Sequence, residues 1–456
     1  MIDFERLLRP ESVAVIGASA NPEVISGLPQ RLLAQHGYRG AVYPVNPRHA
    51  EIDGTRCYPD IASVPARVDV AVVVVNAERV ADVIAECGAA GVRFAVVISS
   101  GFAEQFDGGE QHRKLAAVCA EYPALRVVGP NAEGLMNVVD GVPLGFSPTI
   151  DHRRGLRRLI AGDVAVLSQS GGLGFALFND GMSRGLGFSH VISTGNELDV
   201  DVADLAEYLL HDPATRVILL FCEGVDRPER LASLGEAAVA AGKRIVMAKV
   251  GASAAGTRAA LAHTAHVTGD GAAYARLAEH GVLRSGDQEE MVDIAMALSR
   301  TRAPAGRRVG IVTTSGGAGT WLADDVIAAG LEVPVLSAGL QARLRELIPA
   351  YGSPANPVDA TAQVLGRGGV APVLRLVADS GEVDVLVEIT TLADKHQIDR
   401  ERSQLAELAA GLPLVVYTYT RPAEESTDLL AELGIAWFTS GRRTAAALAA
   451  LVPRLA

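Results

Sequence analysis

The residues Asp163-Val-Ala-Val-Leu-Ser-Gln-Ser-Gly-Gly-Leu-Gly174 join a short apolar run to a turn of hydroxyl-bearing residues and glycine. The pattern recurs as Ser12-Val-Ala-Val-Ile-Gly-Ala-Ser19 and as Arg308-Val-Gly-Ile-Val-Thr-Thr-Ser-Gly-Gly-Ala-Gly319. A strand whose consecutive residues are all apolar is buried on both faces, as in a parallel sheet covered by helices. The leading valines, Val13, Val164 and Val309, are spaced by about 150 residues, the size of one domain. The repetition is therefore of domain type, since solenoid repeats are far shorter.

Reading outward, further strands are predicted at 41–45, 70–75, 95–98 and 126–128, then 190–193, 217–222 and 244–249, and finally 383–389 and 414–418. Helical spacing of apolar residues fills the intervals, as in 77–90. The predicted fold class is α/β, with three Rossmann- or flavodoxin-like doubly wound parallel-sheet domains covering 1–145, 155–300 and 305–456. Connectors are expected in Asp140–Gly162, rich in Pro, Gly and Arg, and in Thr301–Arg307.

Among 456 residues, 41 are Lys or Arg and 53 are Asp or Glu, a net charge of −12. Without a basic block, such a chain has no electrostatic footprint for nucleic acid or an anionic membrane. The N-terminus is charged from its third residue and no apolar stretch approaches a spanning length, so the expected location is cytoplasmic. Cys57, Cys87, Cys119 and Cys222 form no CxxC pair and are expected to be reduced and mostly buried. His263 and His266 lie three apart with no carboxylate or thiolate near them in sequence, so no metal site is expected.

Glycine, at 47 residues, is abundant and concentrated in the turns. Loops leading from strand ends into helix N-termini offer free N–H groups and a positive dipole end, and glycine admits an anion closely. Ser168, Ser170, Gly171 and Gly172 form one candidate phosphate cradle, and Ser315, Gly316 and Gly317 a second. Gly17-Ala18-Ser19 is either a third or a packing device of a tight βα turn. A dinucleotide site would want Asp or Glu at the end of the second strand, where Pro44-Val-Asn46-Pro47 stands instead, so a nicotinamide-dependent oxidoreductase is the weaker reading.

Several motifs in order resemble those of NDP-forming acyl-CoA synthetases, the relatives of succinyl-CoA synthetase. Val15–Ser19, Tyr43–Pro47, Ser99–Glu104 and Gly129-Pro-Asn131 look like its CoA-binding domain. Ser168–Gly172, Lys249–Ser253 and Gly256–Thr264 are similar to its succinyl-CoA-ligase-like domain, and Ser315–Gly319 with Asn356-Pro-Val-Asp359 to its other flavodoxin-like domain. The resemblance implies that His263 carries a phosphoryl group between acyl phosphate and nucleoside diphosphate, with Glu223 holding its other ring nitrogen and the two cradles facing it. It implies coenzyme A on the first domain, near Gly17, Ala18, Ser19, Pro44, Asn46, Asn76, Ser99, Gly101 and Asn131. Read without the family, Asn356–Asp359 is either catalytic scaffolding or a turn, since Asn-Pro initiates turns.

The chain departs from the family in three places. It contains neither an ATP-grasp domain nor a GxxxxGK[ST] loop, which implies a separate β-type partner carrying ADP or ATP with Mg²⁺, in a hetero- or homo-oligomer. Ala262-His-Thr-Ala265 replaces the family's Ser-His-Thr-Gly, and Ala132-Glu-Gly134 follows Asn131 in place of Cys and a later Gly. A carboxylate at Glu133 would repel an anionic substrate. The functional expectation is an acid–CoA ligase subunit acting on a small carboxylic acid; the alternative is a CoA- or acyl-CoA-binding protein that has lost catalysis.

Overall fold

The computed structural model describes residues 2–102, 104, 109–154, 156, 158–225, 227–251, 255–256, 258, 271–366 and 368–453. They form two compact units, one of residues 1–182 and 187–285, the other of 183–186 and 286–456. Among the described residues no helix is long and apolar enough to cross a membrane.

The first unit contains two large sheets and a short antiparallel pair at Glu51–Ile52 and Thr55–Arg56. One consists of β1 (Ser12–Ile16), β2 (Ala41–Val45), β3 (Val70–Val73), β4 (Phe94–Val97) and β5 (Arg126–Val128), all parallel, in the order β2-β1-β3-β4-β5. Every residue of β1, β3 and β4 is buried, which is why these runs are apolar without alternation. The second sheet consists of β6 (Gly134–Asn137), β7 (Val142–Gly145), β8 (Ala161–Ser168), β9 (Phe188–Ser193), β10 (Val217–Cys222), β11 (Arg244–Lys249) and β12 (Leu283–Arg284), ordered β12-β11-β10-β8-β9-β6-β7. Its centre is parallel, and the β6–β7 hairpin is antiparallel to β9 and to itself.

That hairpin bears on the domain limits. The sequence assigns residues through 145 to the first domain, whereas Gly134–Gly145 pairs with β9 and extends the second sheet. The physical reason is register: His190, Val191 and Ile192 align with Asn137, Met136 and Leu135, and the hairpin covers an edge that would otherwise expose unpaired backbone. One apolar cluster then runs through both sheets, joining Val13, Val72 and Phe94 to Leu135, Ala165, Leu205 and Ile218. Phe4 is fully buried and packs 5.8 Å from Phe94 and 5.6 Å from Tyr208, so its ring bridges the two halves and contributes about 2–3 kcal/mol. Cys57, Cys87 and Cys222 are buried and all four cysteines are unpaired.

Polar contacts align the sheets further. Arg126 grips Asp199 in a fork, Nε to Oδ2 at 2.8 Å and Nη2 to Oδ1 at 2.7 Å. Alongside, Asn196, Leu198 and Val200 donate backbone N–H groups to Pro130, Gly129 and Val127. Segment 196–200 thus lies along the end of β5 and brings the loops of both sheets together.

The second unit is a parallel sheet of β13 (Val309–Thr313), β14 (Val358–Asp359), β15 (Val385–Thr390), β16 (Leu414–Thr418) and β17 (Ala436–Phe438), ordered β14-β13-β15-β16-β17. Helix 288–300 clusters with this unit. Its Asp293, with no exposed surface, holds Arg184 and, at 2.8 Å, Arg443 Nε, which fastens it to helix 441–451.

Candidate active site

At the end of β8 the chain turns sharply into helix α1 (Gly171–Ser183). Ser168 Oγ donates to the Ser170 carbonyl, while Gly174 N donates to the same carbonyl at 3.0 Å, opening the helix. The turn requires small residues: a Cβ at Gly174 would lie 2.7 Å from Ser168 Cβ. Nothing crowds Gly172, which leaves the first N–H groups of α1 accessible to an anion.

Gln169, buried beneath this turn, is the residue that positions Glu223. Its Oε1 accepts the N–H groups of Glu223 at 2.7 Å and Gly224 at 3.0 Å. Its Nε2 donates to Glu197 Oε2 at 2.8 Å, and Glu197 Oε1 accepts from Thr194 Oγ1 at 2.7 Å and Val202 N at 3.0 Å. Glu223, only 8% exposed, is thereby fixed at the carboxyl end of β10 with its side chain at the cavity beside Ser170. Sequence reading selects Glu223 but passes over Gln169 and Glu197, whose links Gln169–Glu223 and Gln169–Glu197 span 54 and 28 residues along the chain.

A cavity of about 280 Å³ brings the two sheets' loops together: Asn131 and Glu133 on one side, Ser170, Gly171, Gly172 and Glu223 on the other. Asn131 is held left-handed at φ 60° by its N–H to Ser99 O at 2.9 Å. Asn196 Oδ1 accepts from Asn131 Nδ2 at 3.4 Å, and Asn196 Nδ2 donates to Glu104. Burial disfavours the Glu104 charge, but the N–H groups of Gly101 and Phe102 at 2.6 and 3.0 Å, with Asn196, outweigh it and hold the carboxyl below its ordinary range.

Two grooves adjoin on the first sheet. One, about 720 Å³, shares Ile25, Ile98 and Ser100 with the cavity and is lined by Asn76, Ser99 and Gly101. The other, about 230 Å³, lies at Gly17, Asn46 and Asn76 and includes Arg48 and Arg79, two cations that sequence reading missed because exposed arginines are ordinary. Gly17 is obligatory: its φ is 90°, and a Cβ there would meet Val74 O at 2.2 Å. Asn46 Nδ2 donates to Ala18 O at 2.8 Å, so this side chain braces the turn. Ser19 Oγ accepts from Asn21 N at 3.1 Å. Pro44 is a buried strand residue whose carbonyl accepts Tyr58 N, and Ser99 Oγ accepts Val75 N at 3.1 Å. Asn76 begins helix 77–89 without a side-chain capping bond, leaving its amide available to a ligand between the grooves.

The second unit repeats the turn. Thr313 Oγ1 donates to Ser315 O at 2.7 Å, Gly319 N donates to the same carbonyl at 3.0 Å, and α2 (Gly316–Ala328) begins with exposed glycines. Asn356 accepts from Ile311 N at 2.9 Å and donates to Val309 O at 2.8 Å, stapling β13, while a Cβ at Gly316 would lie 2.7 Å from Asp359 Oδ2. His263 lies outside the described residues.

In the first unit, a groove on the parallel sheet leads to a cavity lined by the Ser168–Gly172 turn and two carboxylates, an arrangement that fits a CoA ligase. Family models bear this out: a CoA binding domain at 11–137, a succinyl-CoA ligase like flavodoxin domain at 161–298 and a Ligase-CoA domain at 309–387. The chain is 34% identical to the α subunit of acetate–CoA ligase (ADP-forming) I of Pyrococcus furiosus, over 99% of this chain and 97% of that one. It is 34% identical to acetate–CoA ligase (ADP-forming) I of Archaeoglobus fulgidus, over 98% of this chain but 63% of that one. Its fold is similar to that of the dinucleotide forming acetyl-coenzyme A synthetase 1 of Ca. Korarchaeum cryptofilum in complex with phosphate and ADP, with TM-score 0.87, 31% identity and coverage of 99% and 96%. The chain belongs to the ADP-forming acyl-CoA synthetase family.

Proposed function

We propose that the chain is the α-type subunit of an acid–CoA ligase that interconverts acyl-CoA, NDP and phosphate with acid, CoA and NTP. The observation that carries this reading is the shared cavity: loops of the CoA-binding sheet and the Ser168–Gly172 turn line one space with Glu223. CoA would run from the Arg48–Arg79 groove past Asn76 and Ser99–Gly101, with its thiol end at that cavity. There phosphate displaces CoA from the acyl carbon, giving acyl phosphate. The His263 imidazole then attacks phosphorus, the acid leaves, and the phosphoryl passes to a nucleoside diphosphate. The N–H groups of α1 stabilise the charge on phosphate, and Glu223 orients and stabilises the histidine. Ser315, Gly316 and Gly317 supply a second anion turn of the same construction.

The nucleotide and Mg²⁺ would be held by an ATP-grasp chain in a cytoplasmic complex. The 37% of the Archaeoglobus relative that the match leaves uncovered gives such a module room in a longer chain. Mixing this protein with an ATP-grasp β-type subunit, CoA, ATP and a panel of carboxylic acids should give acid-dependent CoA consumption. Consumption that is absent with every acid, or equal without this chain, overturns the reading.

A further inference from the structure

Glu133 is left unused by the chemistry above. It sits immediately before β6, and its backbone is pinned on both sides: its N–H donates to Ser193 Oγ at 3.2 Å, and its carbonyl accepts Phe146 N at 3.2 Å. Its side chain lies against the first residue of α1, because a Cβ built on Gly171 would be 2.7 Å from Glu133 Cβ and 3.0 Å from Oε2. A protein carboxylate thus borders the anion turn, inside the cavity that holds Glu223. Ile25, Ile98, Ala132 and Phe146 give the cavity an apolar portion beside its polar lining. Burial pushes its pKa upward and the Ser147 hydroxyl offers the opposing hydrogen bond.

An ionised carboxylate presents about four lone-pair sites, and a single hydroxyl leaves most of them to be satisfied by whatever fills the cavity. With nothing to pair it, Glu133 would oppose the same anions that the N–H groups of α1 attract. A donor on the acyl chain resolves that conflict, because it pairs the carboxylate and leaves the turn to the phosphate. A second carboxylate on the substrate makes the conflict worse.

We propose that Glu133 selects the acyl group: the acid activated here carries a hydroxyl or ammonium group that the Glu133 carboxylate accepts, and dicarboxylic acids are excluded. This rests on the ligase reading, which brings the acyl group to the Ser170–Gly172 turn. The test is calorimetric titration of the full chain with CoA, butyryl-CoA, 3-hydroxybutyryl-CoA, β-alanyl-CoA and succinyl-CoA, repeated for Glu133→Gln and Glu133→Leu. In the wild type the hydroxyl and ammonium thioesters should bind about tenfold or more tightly than butyryl-CoA, with succinyl-CoA weakest. Glu133→Leu should erase the preference. Glu133→Gln, which keeps shape and one acceptor, should bring succinyl-CoA up to the butyryl-CoA level while retaining part of the hydroxyl preference. Equal wild-type affinity for all four thioesters, or a preference unmoved by Glu133→Leu, overturns the selection alone. A wild type that binds no CoA at all removes the ligase reading and the selection together.

Discussion

Replacing Gln169 by Leu keeps the side chain's bulk and removes all its hydrogen bonds. Two buried backbone donors, Glu223 N and Gly224 N, lose the oxygen that accepts them at 2.7 and 3.0 Å. Glu197 loses the amide that donates at 2.8 Å. Each buried N–H left without a partner costs about 1–3 kcal/mol, so the two together span about 2–6 kcal/mol. Gln169 lines the cavity, where water reaches the freed groups, which puts the expected loss near the lower end, about 3 kcal/mol. For a unit of this size that lowers Tm by about 6–12 °C. Scanning calorimetry of the full chain reads the shift. Acid-dependent CoA consumption should fall at least tenfold as Glu223 loses its brace, with CoA affinity held by the grooves on the first sheet. A shift below about 2 °C with full activity would refute the clamp.

In the second unit, burial and then the neighbouring Glu401 carboxylate push the fully buried Glu388 carboxyl up to about 8, from an ordinary 4.5. The folded state therefore retains a proton that the unfolded state has lost, and stability should fall as pH rises between about 4.5 and 8, by at most about 1.4 kcal/mol per pH unit. Urea unfolding of Glu388→Gln at pH 6, 7 and 8 should show that slope abolished; an unchanged slope contradicts the assignment. Asp293→Ala leaves two partly buried arginine cations facing each other and should cost about 3–5 kcal/mol in the same assay. Gly17→Ala, forced against Val74 O at 2.2 Å, should weaken CoA binding at least tenfold by calorimetry. Arg48→Ala and Arg79→Ala should each weaken it about three- to tenfold, more at low salt, because they act as charges on phosphates.

The parallel strands are legible in the chain because burial on both faces writes itself as uninterrupted apolar residues, as in Val70–Val73. The glycine turns are legible because only glycine fits where Gly174 meets Ser168. The β6–β7 hairpin is not: Gly-Leu-Met-Asn and Val-Pro-Leu-Gly are short, carry strand-breaking residues and read as a connector. Strand β14, two residues inside Asn356-Pro-Val-Asp359, reads as a turn for the same reason, and the fold resolves its Asn356 as a staple of β13. Gln169 and Asn196 carry no local signal, since each acts on groups that only the folded chain brings near, and Glu197 is joined to Gln169 in the same way. The resemblance supplied Glu223; the hydrogen bonds around Gln169 supply the physical reason that Glu223 can stay where it is.

Phosphoryl transfer through His263 can be tested most directly with this chain alone, by incubation with acyl-CoA and [³²P]phosphate in the absence of any nucleotide. The wild type should acquire an acid-labile label that requires acyl-CoA, that is lost in His263→Asn and that falls at least tenfold in Glu223→Gln. A label that persists undiminished in His263→Asn, or no label with any acyl-CoA in a chain that binds CoA, would contradict transfer through this histidine.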